Sequence, residues 1–109
     1  MNSANKLWRP DPDMARRDCE ADAELAAEMA ANAAESAVVW AQHSGVGEDD
    51  AAEAVSAAQR ARIASERAMS AGTDERARNE TAAAWAATES AIEADQRVVE
   101  AIAREIQGA

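Results

Sequence analysis

Of the side chains that most often carry covalent or metal chemistry, this chain holds one cysteine, Cys19, and one histidine, His43. On one helix, the steps from residue 19 to residue 43 span about 36 Å at 1.5 Å per residue. That separation excludes a Cys–His dyad within one chain. Cys19 reads as a small buried hydrophobe, and His43 as a partner for the negative end of a helix dipole. No glycine-rich phosphate loop, Glu-x-x-His pair or Cys/His cluster is present. The expectation is a non-enzymatic protein with no cofactor and no metal.

Carboxylates are the abundant reactive groups. Asp and Glu number 21 against 11 Lys and Arg, for a net charge of −10. Glu20, Glu24 and Glu28 recur about every 6 Å along a helix face, and Glu35 continues the row. This spacing is comparable to that of phosphates along a nucleic-acid strand. A row of this kind could occupy the basic groove of a nucleic-acid enzyme, although nucleic acid itself would be repelled. It could equally be a solvated face that keeps the protein in solution, partly paired with Arg60, Arg62 and Arg67. Asp22 and Asp95 interrupt apolar helix faces. Asp95 is expected across from Trp40, either as part of a polar site, or accepting the indole N–H, or wetter than the helical wheel implies; Asp22 is expected to be exposed. Residues 1–10 read as an arm in which Leu7 and Trp8 precede Pro10 and Pro12. Tryptophan is enriched at interface hot spots, so the arm either folds back or anchors a partner.

These groups must be positioned by helices. Alanine accounts for 32 residues, whereas Leu, Ile, Val and Phe together give 12. So few large apolar residues and so high a charge would suit a disordered chain, but alanine is the strongest helix former and the apolar residues are periodic. Ala54, Ala57, Ala61, Ala64, Ala68 and Ala71 step by 3 and 4, the spacing of a helix seam. The fold class is therefore all-α, an elongated antiparallel three-helix bundle with Ala-rich, closely packed seams. Residues 11–109 form a single helical domain, with helices at about 12–43, 48–71 and 74–107. Asp11 and Pro12 suit a helix start, Gly45 a helix end, and Thr73 an N-cap.

The first helix gathers Ala15, Cys19, Ala26, Met29, Ala33, Ala37 and Trp40 on one side. The third runs through Ala77, Thr81, Ala84, Thr88, Ala91, Asp95, Val98 and Ile102. Trp40, Val55, Val98, Val99, Ile102 and Ile106 are expected to form the main core at one end. A core this thin favours a homo-oligomer, most simply a dimer. No apolar run approaches the ~18 residues of a membrane span, and the start of the chain lacks a signal-peptide core. With a single cysteine, a cytoplasmic setting fits. The expected function is that of an acidic helical interaction protein, an adaptor or accessory subunit that binds a protein partner through its helix faces. The alternatives are a phage-type charge-mimicking inhibitor of a nucleic-acid-binding protein, and an accessory subunit of an enzyme whose chemistry lies in another chain.

Overall fold

Each chain reversal is set by the local chemistry of a few residues. The structure, a computed structural model, describes residues 16–108. The first helix, α1, spans Arg16–Ser44; α2 spans Glu48–Met69 and α3 spans Asp74–Gly108. The start expected at Asp11 and Pro12, and the arm, lie outside the described residues. Gly45 ends α1 at φ +75°, and its N–H donates to the Ala41 carbonyl at 2.8 Å. That is a left-handed C-terminal cap, which glycine adopts without strain. Three acids, Glu48, Asp49 and Asp50, crowd the positive end of α2. Before α3, the Thr73 hydroxyl accepts the Arg76 N–H at 3.1 Å, as an N-cap does. The second helix ends at Met69, two residues before the expected stop. There the Ser70 hydroxyl donates to the Glu66 carbonyl at 3.2 Å.

Short turns make α1 and α2 antiparallel, and α2 and α3 antiparallel, so α1 and α3 run parallel. All three helices touch one another. The bundle measures 54 × 26 × 15 Å, with a radius of gyration of 15.5 Å. A rounder chain of this length would give about 13 Å. No helix among the described residues is long and apolar enough to cross a membrane.

The core is a stack of alanine layers. Ala30 meets Ala57, Ala61, Ala87 and Ala91 at mid-length. Towards one end, Cys19 meets Ala71 and Ala77. Towards the other, Ala37 and Ala41 meet Ala51, Ala54, Ala94 and Val98. Every buried hydrophobic residue is alanine except Cys19, Trp85 and Val98. Thr81 and Thr88 replace alanine in the α3 seam and are fully buried. Each hydroxyl lies 2.8 Å from the carbonyl one turn back on α3. Each also reaches α1: Thr81 the Cys19 carbonyl at 3.1 Å, Thr88 the Ala26 carbonyl at 2.7 Å. One proton is shared between two acceptors, a bifurcated bond. Both bonds span 62 positions, so α3 residue n lies level with α1 residue n − 62.

The large apolar residues do not go where their hydrophobicity alone would send them. Trp40 is 51% exposed, Val99 47% and Ile106 71%, while Val55 and Ile102 are only partly buried. Of the group expected to form the main core, Val98 alone is fully buried. Met29 is also exposed, and the true α1 seam is Cys19, Ala23, Ala26, Ala30, Ala34, Ala37 and Ala41. A bulky side chain between the axes would hold them apart, so alanines take those places. The exception is Trp85, which packs against Ala23, Ala26, Ala64, Ala68 and Ala84.

Two predictions follow from this packing. Ala61 is fully buried at mid-seam, so Ala61→Leu should lower stability by about 1–3 kcal/mol in thermal or urea melts. Gly47 stands at φ +81°, and a Cβ there would lie 3.1 Å from Val98 Cγ1. Gly45 shares the conformation but has open space around its missing Cβ. Gly45→Ala should cost about 1–2 kcal/mol from backbone strain alone. Gly47→Ala should cost more, and urea denaturation of the two variants would show the difference.

Candidate functional site

The acidic row sits on the flank of α1 that turns towards α2. Glu24, Glu28 and Glu35 are exposed and Glu20 is half-buried. Glu24 and Glu28 border an open groove with Ala27 and Ala31 of α1 and Arg62, Glu66 and Met69 of α2. Glu35 lies beyond that groove. Among the described residues, no ion pair within 4 Å involves Glu24, Glu28 or Glu35. Arg60 instead holds Glu53 on its own helix at 3.6 Å. Arg97 of α3 holds Asp50 of α2 through a 2.9 Å hydrogen bond. Leu7 and Trp8 lie outside the described residues.

Three polar expectations resolve differently. His43 Nδ1 donates to the Val39 carbonyl at 2.8 Å in the last turn of α1, as its place near the negative end of the helix favours. Asp95 does not receive the Trp40 indole: its Oδ1 is buried without a hydrogen-bond partner, and Trp40 is turned outward. Asp22 is half-buried rather than exposed. Cys19 is fully buried, and burial pushes its thiol pKa up, against a smaller opposing effect of the Thr81 hydroxyl. A buried neutral thiol is a poor nucleophile.

Sequence reasoning missed a second set of stripes. On α1, Leu25, Met29, Asn32, Ser36, Val39 and His43 step by 4, 3, 4, 3 and 4, with Trp40 beside them. On α3, Trp85, Glu89, Ile92, Gln96, Val99, Ala103 and Ile106 step by 4 and 3 throughout. The α3 stripe begins where Trp85 packs on α1 alanines. The α1 stripe lies on the side away from the groove shared with α2. The two therefore line one face of the bundle, formed by α1 and α3. From Leu25 and Trp85 onward the only Asp, Glu, Lys or Arg in either stripe is Glu89, and it is buried; the same steps taken backwards reach Asp22 and Asp18 on α1 and Arg78 on α3. The face combines exposed Leu25, Met29, Val39, Trp40, Val99 and Ile106 with uncharged polar residues. Its signal in the sequence is this heptad spacing, overshadowed by the alanine seam.

The chain matches no family, no curated protein and no solved structure.

Glu89 and Trp85 stand one helical turn apart at the start of the α3 stripe. Glu89 is 6% exposed, and both its carboxylate oxygens lack a hydrogen-bond partner, as does Trp85 Nε1. Burial, with a smaller contribution from the nearby Glu93 charge, raises the Glu89 pKa above the ordinary 4.5. A carboxyl group that binds its proton more tightly when folded stabilises the fold most below its unfolded pKa. That contribution is lost as pH rises through the folded pKa. Glu89→Gln should therefore melt higher than wild type at pH 7, with the gap closing as pH falls through the raised folded pKa towards 4.5. Thermal melts of both proteins across pH 4 to 8, followed by circular dichroism, would measure this.

Proposed function

We propose that this chain is a non-enzymatic acidic helical binding protein, an adaptor or accessory subunit, that engages a protein partner through its α1/α3 face. The observation that carries this reading is the pair of uncharged heptad stripes. They leave Leu25, Met29, Trp40 and Val99 in solvent on a chain whose other faces are charged. Exposed apolar residues that share one face mark an interaction site more often than scattered ones. Heptad stripes are also the pattern by which helices recognise other helices. The interior offers no competing role, because alanine layers fill it. A free buried cysteine suits a reducing, cytoplasmic setting, and the chain carries no cofactor in this reading.

A second reading keeps some support from the unpaired row Glu24, Glu28 and Glu35. A rigid line of carboxylates could imitate nucleic-acid charge and block a nucleic-acid-binding protein. The two differ in what holds the partner. Apolar docking changes little with salt, whereas charge mimicry weakens steeply.

Affinity capture from lysate of the cells that make the protein tests the choice. Leu25→Asp with Trp40→Asp should reduce partner recovery about tenfold or more, as loss of two interface anchors does. Glu24→Gln with Glu28→Gln and Glu35→Gln should leave recovery nearly unchanged from low to high salt. The opposite pattern, with circular dichroism showing intact helices, would establish the charge-mimicry reading instead.

A further inference from the structure

We infer that the occupant of the α1/α3 face is a second copy of this chain, docked antiparallel about a two-fold axis near Ala33. This inference rests on the reading of that face as a protein-binding surface and identifies its partner.

Charge is the first argument. Two copies each carrying −10 repel one another over most of their surface. From Leu25 and Trp85 onward no charged side chain is exposed along either stripe; Asp18, Asp22 and Arg78 stand beyond the Leu25 end. Glu24, Glu28 and Glu35 centre about 80° round α1 from the middle of this stripe, at about 100° per residue. A self-pair through this face thus keeps the carboxylate rows at its rim rather than at its centre. A partner selected by opposite charge would instead be expected to seek the acidic flank.

The distribution of apolar side chains is the second argument. They form two groups along α1, Leu25 with Met29 and Val39 with Trp40, whose centres are about 19 Å apart. Between them lie Asn32 and Ser36, with Gln96 on α3 at about the same level. Val99 of α3 joins the Trp40 end. A two-fold axis through the polar middle exchanges the ends: Leu25 and Met29 of each copy meet Val39 and Trp40 of the other. Asn32 of each copy then lies close in level to Ser36 of the other, Gln96 lies near its own equivalent, and these groups can exchange hydrogen bonds. The pattern is self-complementary, as an isologous contact requires. The same rotation sets the helices of the two copies antiparallel.

Size is the third. From Leu25 to His43 the face is about 27 Å long, and two helices are about 20 Å wide. A self-pair would bury on the order of 1,100 Å² in total, at the lower edge of specific interfaces. The dimer should therefore dissociate in the micromolar range.

Sedimentation equilibrium of the full chain from about 5 to 200 µM should show its mass rising from 11.5 kDa towards twice that value. Added salt should tighten the association, because it screens like charge. Leu25→Asp and Trp40→Asp should each weaken it about tenfold or more, while Glu28→Gln leaves it intact or strengthens it. Asn32→Cys, near the axis, should give a disulfide-linked dimer on mild oxidation. Glu35→Cys, on the acidic flank, should not, and Cys19 is too buried to interfere. A chain that stays monomeric at 200 µM overturns the inference. A dimer indifferent to both aspartate variants, or cross-linked through Glu35→Cys but not Asn32→Cys, overturns it as well. If the chain is monomeric yet loses a captured partner on Leu25→Asp with Trp40→Asp, the self-pairing fails while the binding face stands.

Discussion

The structure depends on how closely the backbones of α1 and α3 approach. A threonine hydroxyl sits one bond beyond Cβ, so it reaches another helix's carbonyl only where two backbones nearly touch. Thr81 and Thr88 do this two turns apart, on Cys19 and Ala26. Each bond places a buried hydroxyl where it needs no water. Together they fix the register of the parallel pair, since a slip by one residue would strand both hydroxyls. The same closeness accounts for Gly47, whose missing side chain leaves room for Val98. It also accounts for alanine throughout the seams: a larger side chain would separate the backbones and break these contacts.

This constraint reverses the usual reading of hydrophobicity. In most bundles the largest apolar residues mark the inside. Here the largest fully buried side chain is Val98, and Leu25, Ile63, Met69 and Ile106 are all left in solvent. The alanine seam of α2 was legible because its spacing is unbroken, and so were the caps at Gly45 and Thr73, whose chemistry is local. The seam of α1 was not. Alanines occur on several sides of that helix, so Trp40 and Met29 drew the inferred face towards themselves, away from Ala23, Ala30 and Ala34. Periodicity alone could have separated the two stripes. Residue size, the more familiar guide, pointed to the wrong one.

The candidate site was legible in a similarly uneven way. The carboxylate row was visible as a charge pattern, and Glu24, Glu28 and Glu35 are exposed and have no ion-pair partner among the described residues. The uncharged stripes were harder to see because an absence of charge attracts less notice than a run of it. Glu89 was invisible at this level. A glutamate in a chain with 21 acidic residues looks like one more solvated group. Its burial is a property of the folded chain, which no local pattern records.

A thin core and an unsheltered second stripe belong to the same physical solution. Burying an alanine methyl removes little area from water, at ~25 cal/mol per Å², so the bundle gains little per residue from the hydrophobic effect. It gains instead from helix propensity and from dispersion between backbones packed at short range. Neither source uses the large apolar residues, which are free to occupy the surface. Had Trp40, Leu25 and Val99 been drawn inside, the backbones would stand further apart and the Thr88 bond would be lost. Close packing therefore forces the chain's main reserve of hydrophobic surface onto its α1/α3 face. Burying that surface against another protein would return the stabilisation that the alanine core forgoes, which ties recognition to the packing rule that builds the fold.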